Sequence, residues 1–359
     1  MPPLCSPAPL LSCPSAPLHL RTSAPLHREP GEWDEHAHLS PLHDVFMVGE
    51  ETQLLAEIHQ TGGDPLQFSL DLSGLQNTPP LQETLPTVEP SPMLWAYYYL
   101  WYTMDSWDSQ WLRDWPVSEY RSDDRAAIQR HIHQAQSAGI DGFIASWWGP
   151  DSYTDQNLAT LLDIAWREGF SVMMAFPWGD LGIDEQTTLE YLRYAISTYG
   201  EHPAFMRVDG KPVIVVFKSY EMPDAAWEGI FAQLRAEGLD ALFLAHFHGR
   251  WPRLDSLEVF DGLYTYFLLN VVNSNDEVPT VLAPTYATTG RAVRHYPLLT
   301  DSLAPKIWVA TVQPGYDDTL MRDPGYVLER EDGALYRSTF DAALGSDPHW
   351  VFITSWNEW

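Results

Sequence analysis

A single glutamate stands between two indoles in Trp356-Asn357-Glu358-Trp359, shortly after the apolar stretch Trp350-Val351-Phe352-Ile353. A carboxyl group moves protons and indole faces stack on sugar rings, so the arrangement suits glycosidic-bond chemistry. An acidic residue in such a frame has little structural reason to exist, which marks Glu358 as the candidate catalytic group. Glycoside cleavage ordinarily uses two carboxyl groups. This segment supplies one.

Further aromatic and neutral polar residues gather at the ends of apolar runs. The candidates for holding a sugar are Tyr98 and Trp101, Trp147 and Trp148, His246, Tyr264 and Tyr266, and Trp356 and Asn357 beside the glutamate. Flat rings would bind sugar faces, and the polar groups would bond hydroxyls. His246 and His248 have the spacing of a partial metal site, but no third ligand accompanies them, so neither metal nor cofactor is expected. No Ser or Cys sits in a nucleophile elbow. No glycine-rich phosphate loop follows a strand either.

The elements that must position these residues recur from residue 94 onward. Short apolar runs at 94–102, 142–149, 170–176, 212–217, 241–247, 262–267, 307–312 and 350–356 read as strands buried on both faces. The spacers read as amphipathic helices: Ser122-Asp123 as a cap for the first, Asp155 to Glu168 as the second, and Gly169, Gly200 and Gly238 as helix stops. Asp141-Gly142, Asp261-Gly262 and Asp209-Gly210 read as turns into strands. Eight such units predict an α/β fold, a (β/α)8 TIM barrel over 93–359, whose active site forms at the C-terminal ends of the strands.

The eighth strand is the last element, so the final helix is absent from this sequence. An uncovered apolar patch of several hundred Å2 is then expected, and the sequence reads as a fragment. Ahead of the barrel, 1–43 reads as a disordered tail, and 44–92 as a small β-like segment followed by a Pro-rich linker.

Composition excludes whole classes of partner. Of 359 residues 49 are acidic and 20 basic, a net charge of −29, so nucleic acid is not an expected partner while a neutral glycan is. No run approaches the roughly 18 apolar residues of a membrane span, which predicts a soluble protein without one. The N-terminus lacks the basic and apolar regions of a signal peptide, and the compartment stays undetermined. The two cysteines, Cys5 and Cys13, both lie in the tail.

Set in order, these residues resemble glycoside hydrolase family 99, the endo-α-mannosidase and endo-α-mannanase family, and its family 99-like relatives. The resemblance runs from about Trp95 to Trp359. It rests on Tyr98-Tyr99-Leu100-Trp101-Tyr102, Gly139-Ile140-Asp141-Gly142-Phe143, His202-Pro203-Ala204-Phe205 with Gly210-Lys211-Pro212-Val213, Phe260-Asp261-Gly262-Leu263-Tyr264-Thr265-Tyr266, and Ile353-Thr354-Ser355-Trp356-Asn357-Glu358-Trp359. It implies a metal-free barrel that retains anomeric configuration. Glu358 would be the base on the substrate's own 2-hydroxyl, and Tyr264 or Tyr266 would lie near that hydroxyl or the base. A second glutamate, three residues on, would be the general acid; that position is absent from this sequence, so the chain as given is expected to be inactive. Two other readings compete: a non-hydrolytic carbohydrate-binding barrel, and a barrel glycosidase with an acid after the fourth strand, where Glu221 is the near candidate.

Overall fold

The computed structural model describes three strands between residues 44 and 71, and residues 92–359 except 111, 251, 273–276 and 300–303. Two units separate, Met1–Glu89 and Pro90–Trp359. In the first, Asp44–Phe46, Gln53–Ile58 and Leu66–Asp71 form an antiparallel sheet. The expected tail over 1–43 and nearly all of the Pro-rich linker lie outside the described residues.

In the second unit the eight apolar runs become eight parallel strands. They are β1 (Met93–Tyr99), β2 (Gly142–Ser146), β3 (Ser171–Phe176), β4 (Lys211–Val216), β5 (Leu242–His246), β6 (Gly262–Tyr264), β7 (Ile307–Val312) and β8 (Trp350–Ile353). Each pairs with its neighbour in sequence, and β8 returns to β1 with Ile353 opposite Ala96, closing the barrel. Several strands stop before the predicted run does, because the aromatic ends leave the ladder and become the loops of the mouth.

Around the barrel stand α1 (Arg125–Ser137), α2 (Tyr153–Glu168), α3 (Glu185–Tyr199), α4 (Asp224–Ala236), α5 (Val278–Leu299) and α6 (Ala334–Leu344). The cap of α1 is Asp124, whose carboxylate accepts from the Ala126 amide, and not Ser122-Asp123; Ser122 is spent on the Tyr102 backbone. The second helix starts at Tyr153 under a Ser152 cap, and Gly169 closes it in the left-handed conformation. Gly200 also ends its helix, but with right-handed dihedrals. Among the described residues no helix is long and apolar enough to cross a membrane.

Period-two alternation sorts the strand side chains into two cores. Trp95, Tyr97, Tyr99, Ile144, Met173, Val213, Val215, Leu244, Tyr264, Val309, Trp350 and Phe352 fill the barrel interior. Their neighbours, including Tyr98, Phe143, Trp147, Met174 and Ile214, face the helices. Each fully buried large side chain contributes about 1.5–3 kcal/mol over its exposed state.

The Asp-Gly pairs do more than turn the chain. The Asp141 carboxylate accepts from the Leu94 amide at 2.7 Å and that of Asp261 from Phe243 at 2.9 Å, tying each strand entry to its neighbour. A Cβ on Gly142 would lie 2.3 Å from the Trp95 ring and 2.6 Å from the Ser171 carbonyl oxygen, so the large interior indole requires glycine there. Asp209-Gly210 has positive φ at both residues and joins Arg207–Val208 antiparallel to β4, as a two-residue hairpin does.

Candidate active site

Glu358 follows β8 at the C-terminal mouth of the barrel. Its Oε2 accepts from the Tyr266 phenol at 2.7 Å and from the Tyr99 phenol at 3.1 Å, and the two phenol oxygens also touch each other. Tyr99 ends β1 and Tyr266 lies just past β6, so groups from both flanks of β8 converge on one oxygen. Both phenols are hydrogen-bond donors to it, while Oε1 has no protein donor among the described hydrogen bonds.

Electrostatics keep this trio in defined protonation states. The Glu358 carboxyl is open to solvent on one side, yet dense protein around it makes desolvation raise its pKa. The two phenol bonds and Arg322 pull the other way, while Asp180 adds to the rise. Burial, followed by the nearby glutamate charge, drives the phenols of Tyr99 and Tyr266 well above their ordinary range, so both stay protonated as donors. A carboxylate with a raised pKa and one free oxygen is equipped to take a proton from a substrate hydroxyl.

An aromatic wall flanks the trio. Trp101 stacks on Tyr99 with centroids 4.2 Å apart, and Trp148 meets Trp101 edge-on at 5.9 Å. Both indoles are half-buried. The Trp148 Nε1 donates to Ser146 and its backbone amide to Thr154, which fixes the ring at the end of β2. Across the mouth, Phe217 packs edge-on against Tyr266, and Lys218 pairs with Asp180 at 2.7 Å.

The other predicted sugar contacts lie elsewhere, for reasons of strand parity. Tyr98 is one residue out of phase with Tyr99, faces α1, and shares a hydrogen bond with His131 Nδ1. Trp147 likewise faces the helices and donates to the buried Asp155 at 2.7 Å. Trp356 turns outward against Phe143 and His131, where it lines a groove with Val117, Arg130 and Trp359. None of these three reaches the mouth.

Three further candidates are buried and committed to other protein groups or to the core. Tyr264 points inward with Tyr266 but one layer deeper, and is completely buried. His246 is buried, its Nδ1 accepting from the Lys218 amide at 3.0 Å and its Nε2 3.2 Å from the Tyr266 amide nitrogen; burial pushes its pKa well down, so the ring is neutral. Asn357 is 1% exposed and its amide is spent on Tyr99 and Tyr120. Of the nominated residues the fold brings together Glu358, Tyr266, Trp101 and Trp148.

Tyr99 is not among the sequence candidates although it lies in the Tyr98-Tyr99-Leu100-Trp101-Tyr102 run. Its signal was parity with Trp101, two residues on. Lys218, Asp180 and Arg322 carried no local signal, since their loops reach the mouth through the closure of the barrel.

The loops around β8 are tied to each other. Arg113, after β1, bonds Asp317 at 2.5 Å and Thr319 at 3.2 Å, both in the segment after β7. Glu221 lies in a short turn after Lys218 and makes no described hydrogen bond to the trio.

Comparison with known proteins finds relatives within one family. The chain is 27% identical over 321 residues to the glycoprotein endo-alpha-1,2-mannosidase of Mus musculus, covering 74% of this chain and 66% of that protein. It is 28% identical over 265 residues to the glycoprotein endo-alpha-1,2-mannosidase-like protein of Homo sapiens, covering 68% and 54% respectively. The chain thus spans about two thirds or less of the length of these relatives. Among solved structures, the family 99 endo-alpha-mannosidase from Bacteroides thetaiotaomicron in complex with bis-tris-propane is similar with a TM-score of 0.64 and 28% identity, covering 74% of this chain and 84% of that one. The model of glycosyl hydrolase family 99 matches residues 115–359, more than half of the sequence, and the chain belongs to that family.

Proposed function

We propose that this mouth is the active site of an α-mannosidase acting on mannose-containing glycans with retention of configuration. The observation that carries the reading is Glu358 held by two phenols through Oε2, with no described donor on Oε1 and with Trp101 stacked on one of those phenols. The names of the relatives, endo-alpha-mannosidases, support mannose as the sugar and cleavage within a glycan.

In this mechanism Oε1 of Glu358 takes the proton of the mannose 2-hydroxyl. The freed O2 electron pair attacks C1, and the bond from C1 to the leaving oxygen breaks, giving an epoxide-like 1,2-anhydro sugar. Water then adds to C1, losing a proton to solvent, while Glu358 returns its proton to O2. Two inversions at C1 leave the configuration retained. Tyr99 and Tyr266 hold the carboxyl still and stabilise its charged form.

A poor leaving group also needs a proton. The resemblance places that donor three residues after Glu358, a position residues 1–359 do not include. Such a donor contributes about 10²–10⁴-fold to the cleavage of an ordinary α-mannoside.

Fluoride departs without protonation, so an α-mannosyl fluoride isolates the Glu358 half of the reaction. The expected result is hydrolysis by the 359-residue chain, first product the α-anomer by NMR, and loss of that activity in Glu358→Gln. Release of the β-anomer first, or an undiminished Glu358→Gln variant, overturns the mechanism. Tight binding of a mannose-containing glycan with no fluoride hydrolysis would favour the carbohydrate-binding barrel instead.

A further inference from the structure

We propose that Asn357 is a positioning residue, which sets the Tyr99–Glu358 pair by continuing the β1–β8 ladder with its side chain. The inference rests on the reading of Glu358 as the reactive group, and it concerns how that group is held.

The ladder between β8 and β1 ends with Ile353 opposite Ala96. Past it, the Trp356 amide still donates to the Tyr97 carbonyl at 2.9 Å. The next partner on β1 is Tyr99, and there the Asn357 side chain replaces the backbone. Its Oδ1 accepts from the Tyr99 amide at 2.7 Å, and its Nδ2 donates to the Tyr99 carbonyl at 3.0 Å. One primary amide thus presents the donor and acceptor that a neighbouring strand residue would offer.

The rest of Asn357 is equally committed. The second Nδ2 proton goes to the Tyr120 phenol oxygen at 2.9 Å, and the Asn357 backbone carbonyl accepts from the Tyr102 phenol at 2.6 Å. Both side-chain N–H groups are spent inside the protein, so none is left for a sugar hydroxyl. The clamp also acts on both members of the pair at once. It grips the backbone of Tyr99, whose phenol lies 3.1 Å from Glu358 Oε2, and it belongs to the residue directly before Glu358.

The test is a carboxyl ¹³C NMR titration of Glu358 in the ligand-free protein, the resonance assigned by its loss in Glu358→Gln. The groups that interact with that carboxyl are Tyr99, Tyr266, Arg322 and Asp180, with Tyr102 and Tyr316 near it, and Asn357→Ala removes or adds a charge at none of them. The phenol bonds favour the ionised carboxyl, so releasing Tyr99 should move the Glu358 midpoint upward. Tyr99→Phe provides the reference, and the Asn357→Ala shift should fall in the same direction. Asn357→Gln, which keeps an amide on a longer arm, should also shift upward and serves if the alanine variant fails to fold.

An unmoved midpoint in a folded variant overturns the proposal. So does equal weakening of an imino-sugar's affinity at every pH, the behaviour of a lost sugar contact. The titration requires no bound glycan, so its failure is distinct from failure of the mannosyl fluoride assay.

Discussion

Tyr266, just past β6, donates to Glu358 Oε2 at 2.7 Å, and Tyr99, at the end of β1, bonds the same oxygen at 3.1 Å from the other flank of β8. The successive pairing of β6, β7 and β8 brings Tyr266 to the glutamate, and closure of β8 onto β1 brings Tyr99. Two donors on one oxygen leave the other to act on substrate.

Removing the closer donor should be costly. A hydrogen bond to a charged group contributes about 1.5–3 kcal/mol, so Tyr266→Phe should lower mannosyl fluoride hydrolysis roughly 10–100-fold. The acid limb of the pH–rate profile should also move to higher pH, because the lost bond favoured the ionised carboxyl. A slower enzyme with an unmoved acid limb would contradict the stated role of Tyr266.

Parity separates the two adjacent indoles. Trp148→Ala should weaken glycan binding about 3–10-fold, the loss of one stacking face, with little change in Tm. Trp147→Phe should leave binding intact but destabilise the fold by about 1–3 kcal/mol, since the buried Asp155 loses a donor at 2.7 Å. Isothermal titration and denaturant midpoints on both variants decide it; a binding loss confined to the Trp147 variant would reverse the assignment.

Acid should destabilise the barrel through His131. Burial first, then Arg130, lowers its pKa to about 4, with Asp124 opposing. The unfolded chain titrates at the ordinary value near 6.5 and so binds the proton first as pH falls. Stability from the neutral ring is complete above about pH 6.5 and is lost on descending toward pH 4, by about 3 kcal/mol at the limit. Urea midpoints at pH 7 and pH 4.5 should diverge more in the wild type than in His131→Gln. Equal divergence would remove His131 from the account.

The two kinds of glycine should respond oppositely to alanine. Gly142→Ala places a methyl against the Trp95 ring and the Ser171 carbonyl and should cost about 1–3 kcal/mol. Gly229→Ala, mid-helix with open space around the new methyl, should stabilise by about 0.5–1 kcal/mol. Denaturant midpoints check both, and an unaffected Gly142→Ala variant would refute the close-approach argument.

Much of this fold was legible because burial on both strand faces writes itself as short apolar runs. Each of the eight predicted runs holds a barrel strand, and the Asp-Gly pairs fall at or just before strand starts, as read. The site was legible in part. Glu358 was marked by its frame alone, because no packing need explains a carboxylate between indoles. Tyr98 and Trp147 were misplaced because an apolar run hides which parity faces inward. Asn357 was read as a sugar contact because an exposed amide and a backbone clamp look alike in a sequence.

The sequence by itself determined the strand-helix rhythm, the aromatic ends and the candidate glutamate, since these follow from local composition and period. Only the tertiary structure decided which rings meet that glutamate. Closing eight strands fixes one rotation for every side chain, and a single step of parity sends Tyr99 to Glu358 and Tyr98 to the helices.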